Sequence, residues 1–242
     1  MQMFWAMVVM GALVVSCGNK KDDEDAKGTL TVKAGAKGAA LLGGDPSSVR
    51  IKVTGAWIST TSTCDDLKVI YDGSNADYRD FILNPPSVFS SELDPGTYNC
   101  VVLRMSDWIK FTPATNQGTM CIAGTEATQD VCAASPTGGN EWANVESPAG
   151  TTTPCGVGDI DEQVYVWISS GTAPTGQTIG FQRPDTAGAA KGIYLAQPLV
   201  IEEGKAVTAY FNMNGTGLVG DQSRDGTTKY CGFDQPTFSF VQ

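Results

Sequence analysis

The chain contains no histidine. That absence removes catalysis that relies on an imidazole base, His-ligated zinc or haem, and the usual proton shuttle near neutral pH. Basic residues are scarce too: 16 Lys and Arg against 26 Asp and Glu leave a formal net charge of −10. Such a chain has no positive field to draw phosphate backbones, so nucleic acid is not an expected partner. No Cys-x-x-Cys pair occurs, which removes zinc-ribbon and thioredoxin-type readings of the cysteines. Nucleophile-elbow, phosphate-loop and Ser-x-x-Lys signatures are missing as well. No apolar run reaches the roughly 20 residues of a membrane-spanning helix. The strand-like runs are also too few and short for a lipid-facing barrel, whose strands need about 9 to 11 residues. The sequence therefore calls for no metal and no cofactor.

What the chain does have begins at its N-terminus. Met3 to Val15 is an uncharged run with Phe4, Trp5, Val8, Val9, Leu13 and Val14. Its length suits the apolar region of a signal peptide, about 7 to 15 residues. The run ends in Leu13-Val14-Val15-Ser16-Cys17, which resembles the cleavage box of bacterial lipoproteins: an aliphatic residue, a small residue, then the cysteine that is acylated. The resemblance implies a signal peptide over residues 1–16 and lipidation of Cys17, with palmitate among the acyl chains. Each buried methylene contributes roughly 0.8 kcal/mol, so several chains anchor a protein without a spanning helix. Met1-Gln2 lacks the positive charge usual in signals, and an ordinary secretory signal is the alternative. Residues 17–27 are polar and acidic and read as a solvated tether. Gly18 resembles the residue found there in lipoproteins sent to the outer membrane. Lys21-Asp22-Asp23-Glu24 resembles an acidic surface-export signal, or is a solubilising linker. The expected location is the outer membrane of a bacterial envelope, with the periplasmic or surface face left open.

Seven cysteines occur, and acylation of Cys17 leaves Cys64, Cys100, Cys121, Cys132, Cys155 and Cys231. An even number after a secretory start implies disulfides in an oxidising compartment. Six cysteines permit 15 connectivities, which the sequence leaves open; the preferred set is Cys64 with Cys100, Cys121 with Cys132, and Cys155 with Cys231. The second would close the polar loop from Met120 to Val131, and a loop near that size is worth about 3 kcal/mol.

Residues 28–242 then read as one β domain. Val49, Ile51, Val53, Gly55 and Trp57 alternate with Arg50, Lys52, Thr54 and Ala56, which predicts a strand whose buried face includes Trp57. Leu30 and Val32 open an earlier strand, and Leu67 to Tyr71 is a short one stopped by Asp72-Gly73. Asp94-Pro95-Gly96 turns into a strand from Thr97 to Met105, with Val101, Leu103 and Met105 on one face. Trp108 to Phe111 is extended and ends at Pro113. Residues 114–158 carry three cysteines and no sustained periodicity, and read as a long disulfide-tied loop insertion. Strand signals return at Val164 to Ile168, Ile193 to Leu195, Leu199 to Ile201, Ala206 to Met213 and Phe238 to Val241, with Glu202 to Lys205 as a turn. No helical stripe appears after residue 28, and 28 Gly with 12 Pro punctuate the chain. The expected fold is an all-β sandwich, transthyretin-like or Ig-like. Val49 to Ile58, Leu93 to Tyr98 leading into Val101-Val102-Leu103, and Leu199 to Val207 resemble uncharacterised bacterial secreted domains with a transthyretin-like sandwich. That resemblance implies a fold and carries over no functional residue.

Candidate chemistry is sparse. Asp221, Ser223 and Asp225 with Gly226 resemble the opening of a calcium loop, but the twelfth position is Gly232 where a bidentate Glu is required, and a plain surface turn is the alternative. The same stretch is one spacing short of a sialidase Asp-box and ends in Tyr230 where that pattern has Trp. Asp159, Asp161 and Glu162 form a second acidic cluster, and Asp72, Asp77 and Asp80 a third. Paired carboxylates about 5 to 9.5 Å apart would serve glycoside hydrolysis; otherwise such clusters are solvated loops. Trp142 lies within Gly138 to Asn144, in the insertion and away from any strand pattern, and is the candidate contact residue for a protein or glycan ligand. The leading expectation is a lipid-anchored, non-enzymatic binding or structural module that contacts protein or glycan through its loops. The second is a histidine-free carbohydrate-active enzyme using paired carboxylates.

Overall fold

The computed structural model of the protein describes residues 26–35, 46–82, 86–130, 145–146, 152–153, 163–171, 180–184, 192–214, 219–223, 227–233 and 237–242. Every regular element among them is a strand. In chain order these are β1 (Gly28–Ala34), β2 (Pro46–Ile51), β3 (Val53–Ser59), β4 (Lys68–Asp72), β5 (Arg79–Asp80), β6 (Ser87–Leu93), β7 (Gly96–Tyr98), β8 (Cys100–Ser106), β9 (Trp108–Pro113) and β10 (Ala127–Asp130). They continue with β11 (Val145–Glu146), β12 (Thr152–Thr153), β13 (Gln163–Ser169), β14 (Ile193–Tyr194), β15 (Leu199–Ile201), β16 (Ala206–Asn214), β17 (Val219–Ser223), β18 (Lys229–Phe233) and β19 (Thr237–Val241).

The strands form an all-β sandwich. One layer is the sheet β19-β16-β1-β6, in which β1 runs parallel to β16 and antiparallel to β6. Opposite it lie a five-stranded sheet, β14-β13-β8-β3-β4, and a four-stranded sheet, β10-β9-β2-β5. These last two share chain: β2 runs into β3 through Lys52, and β8 into β9 through Asp107. The pairing of β2 with β9 therefore continues directly into that of β3 with β8, and the Ser106 N–H donates to the Lys52 carbonyl at the corner, 2.9 Å away.

Alternation explains the core. Leu30, Val32 and Ala34 of β1 and Ile109 and Phe111 of β9 point inward and are fully buried. They meet Val101, Leu103 and Met105 of β8, which share the inner face as the sequence predicts. β8 is central and covered on both sides: Cys100 and Val102, on its other face, join Trp167 and Cys64 in a second buried cluster.

Three expectations are corrected. The alternation from Val49 to Trp57 does not persist, because the ladder between β3 and β8 slips between Val53 and Gly55 and leaves Thr54 as an extra residue. The bulge moves the inward set from odd to even numbers, so Ala56 and Ile58 enter the main core and Trp57 turns to the outer face, half-buried beside the second cluster. The stretch from Thr97 to Met105 is not one strand: β7 pairs with β15 and β8 with β3 and β13. Cys64 does pair with Cys100, but Cys121 pairs with Cys231, which overturns the bonds expected from Cys121 to Cys132 and from Cys155 to Cys231. Sheet pairing decides this, since Cys231 stands on β18 directly across from Asp221 of β17, and Asp221 reaches the loop that carries Cys121. Cys132 and Cys155 lie outside the described residues.

Candidate binding loop

Residues 114–126 link β9 to β10, antiparallel neighbours in one sheet, and they belong to the stretch expected as an irregular insertion. The sequence is polar and short of strand formers, yet almost every turn of it is braced. The Gln117 N–H donates to the Cys121 carbonyl at 2.9 Å, and the Gly124 N–H to the Pro113 carbonyl at 3.0 Å. The Asn116 side-chain oxygen accepts the Ala123 N–H at 2.8 Å.

The strongest brace comes from Asp221. One of its carboxylate oxygens accepts the Thr119 N–H at 2.7 Å and the Thr119 hydroxyl at 2.9 Å, and the other accepts the Met120 N–H at 2.8 Å. These donors favour the charged form and hold the Asp221 carboxyl down at about 2. Gly118 makes the approach feasible: its φ is 75°, and a Cβ there would stand 2.3 Å from the Asp221 Cγ. Cys121 then ties the loop to β18 through its disulfide and is fully buried. At the foot of the loop Glu126 forms ion pairs with Arg50 and Lys110.

On either side of buried Cys121, Met120 and Ile122 are each 47% exposed, among the few large apolar side chains so placed in the described residues. An apolar side chain is normally exposed on a loose loop, where it can fold back. Here the backbone on both sides is fixed, so Met120 and Ile122 are presented without further backbone ordering, and a partner has only their side chains to immobilise. Covering their exposed parts would contribute about 1 kcal/mol each. The signal in the sequence was Met120-Cys121-Ile122 itself, two apolar residues flanking a cysteine within a polar stretch.

The other predicted residues are distributed as follows. Cys17, Trp142, Asp159, Asp161, Glu162 and Asp225 lie outside the described residues. Asp221 and Ser223 stand on strand β17, paired with Cys231 and Lys229, and Asp221 spends its carboxylate on the loop. No group of three or more Cys, Asp or Glu side chains suited to a metal occurs among the described residues. Asp72 pairs with Arg104 at 3.3 Å, and Asp80 accepts bonds from the Ser48 hydroxyl and the Ile82 N–H, so each has a structural partner; Asp77 is exposed.

Fold and loop together define a disulfide-stapled, all-β sandwich with a braced polar loop that presents two apolar side chains. No protein-family profile matches the chain, no curated protein is significantly similar to it, and no solved structure matches it.

Proposed function

We propose that the protein is a lipid-anchored, non-enzymatic module of the bacterial cell envelope that docks a protein partner through the loop between β9 and β10. The anchor rests on the lipobox-like Leu13 to Cys17, and residues 18–27 space the sandwich from the bilayer. The docking reading is carried by one observation: Met120 and Ile122 stand half-exposed on a backbone fixed by Asp221 and by the disulfide from Cys121 to Cys231. A rigid scaffold displaying apolar anchors on a loop is the usual form of a protein-binding site.

Two experiments test it. Mass spectrometry of the mature chain should find Cys17 acylated at a new N-terminus, and Cys17→Ala should leave the membrane fraction; an unmodified Cys17 removes the anchor. A photo-crosslinking amino acid placed at 120 or 122 in the full chain in cells should give a discrete protein adduct that the same group at Val69 does not. Absence of such an adduct at both loop positions would remove the docking role, and a glycan adduct would reassign the ligand.

A further inference from the structure

The outer face of the five-stranded sheet holds an arrangement separate from the loop. One row crosses four strands in register: Tyr165 of β13, Arg104 of β8, Gly55 of β3 and Asp72 of β4. All four stand on the face opposite the main core. Trp57, two residues along β3, directs its indole back over this row. A Cβ at Gly55 would lie 2.9 Å from the Trp57 Cη2 and 3.1 Å from its Cζ3, so the six-membered ring rests where any other residue would put its side chain. Glycine is needed here for space, and its effect is to let that edge of the indole approach the sheet.

The surroundings of that ring are polar and fixed. The Arg104 guanidinium lies over the ring, 5.5 Å from its centroid, and the Tyr165 ring is 5.8 Å away, tilted by 54°. Arg104 is held by Thr54, donating from Nε to the hydroxyl at 3.0 Å and from its terminal nitrogen to the carbonyl at 2.7 Å. The same guanidinium reaches the Asp72 carboxylate at 3.3 Å, and that carboxylate remains 71% exposed. An aromatic platform is thus bordered by a fixed donor and an open acceptor whose charges cancel.

We infer that this face binds the pyranose ring of a neutral glycan, with the C–H face of the sugar on Trp57 and neighbouring hydroxyls shared between Arg104 and Asp72. A pyranose has one apolar face and an equatorial rim that both donates and accepts, which matches a flat ring flanked by one group of each kind. Pairing of Arg104 with Asp72 removes the net charge that an acidic sugar would need, and the −10 charge of the chain opposes one further. One platform sets a modest affinity, with Kd on the order of 0.1 to 1 mM.

The test is calorimetric titration of the purified full chain with maltohexaose, cellohexaose and chitohexaose. At least one should bind in that range with a change in tryptophan fluorescence. Trp57→Ala should weaken it tenfold or more, while Trp57→Phe keeps most of the affinity. Asp72→Ala removes an exposed acceptor without touching the core, and should weaken binding three- to tenfold with an unchanged melting temperature. Failure of all three sugars to bind, or binding by the Trp57→Ala and Asp72→Ala variants equal to that of the native chain, would overturn the inference. Neither result bears on the loop at Met120 and Ile122.

Discussion

Cys64 adopts a φ of 60°, a left-handed conformation that costs an ordinary side chain energy and that asparagine or glycine would normally occupy. Two contacts hold it there. Its sulfur is bonded to Cys100 in the buried second cluster, and Arg183 closes over the turn from the other side. The Arg183 Nε donates to the Thr63 carbonyl at 3.0 Å, its terminal nitrogen donates to the Cys64 carbonyl at 2.9 Å and pairs with Asp65 at 2.6 Å, and the guanidinium lies 5.8 Å from the Trp167 ring centroid. A planar fork sets two different nitrogens against two successive carbonyls; an ammonium offers its donors from a single nitrogen and does not reproduce that spacing. Arg183→Ala should therefore lower stability by about 2 kcal/mol, and Arg183→Lys should recover less than half of that. Urea unfolding followed by tryptophan fluorescence measures both, and a Lys variant equal to the native chain would show that charge alone suffices.

At the scale of single strands, the bulge at Thr54 has the widest consequences. It turns Trp57 outward, seats the indole on Gly55 and gives Arg104 a carbonyl and a hydroxyl to grip. Gly55→Ala would drive a methyl group into the Trp57 ring and should cost about 1 to 3 kcal/mol, with a red shift of the emission as the indole lifts. An unchanged spectrum and melting temperature would mean that the ring does not lie there. Strands that carry no extra residue are legible in the sequence: Val101, Leu103 and Met105 alternate because the bulge lies on β3 and leaves β8 itself regular against β13, and the turn at Glu202 to Lys205 is fixed by local chemistry. The phase of Val49 to Trp57 is not, because a bulge arises between two strands about 50 residues apart and leaves no mark in the alternation of either. The parallel pairing of β1 with β16 is not legible either, because it joins strands from opposite ends of the domain and the alternation of each is the same whichever strand lies beside it. In the loop, Met120 and Ile122 are visible as apolar residues, but the carboxylate that fixes them comes from Asp221, about 100 positions away, which the sequence presents only as the opening of an incomplete calcium loop or a plain surface turn.

Across the whole molecule, the bond from Cys121 to Cys231 spans 110 residues and joins the loop to the C-terminal hairpin of β17 and β18. A closure that long restricts the unfolded chain strongly, and the double variant Cys121→Ser with Cys231→Ser should lose about 3 to 4 kcal/mol. The pH response has a different shape. Asp221 has its carboxyl lowered to about 2 from an ordinary 3.8 by the Thr119 and Met120 N–H groups. The folded state thus prefers its charged form, so its contribution is complete above pH 4 and is lost as the pH falls through 2. Tyr98 behaves in the opposite sense. Burial, and then the nearby charge of Asp94, raise its hydroxyl above 10, while that hydroxyl donates to the Asp94 carbonyl at 2.8 Å. The folded state prefers the neutral phenol, so its contribution is complete below pH 10 and disappears as the pH climbs through the raised value. With no histidine in the chain, nothing of imidazole character titrates between these limits. Melting temperature should therefore hold within about 2 °C from pH 5 to 9 and fall on both sides. Asp221→Asn should remove part of the acid limb, lowering the plateau while leaving the alkaline limb in place. A native curve that slopes through neutrality, or an Asn variant whose acid limb matches the native one, would show that the Asp221 brace does not govern the acid response.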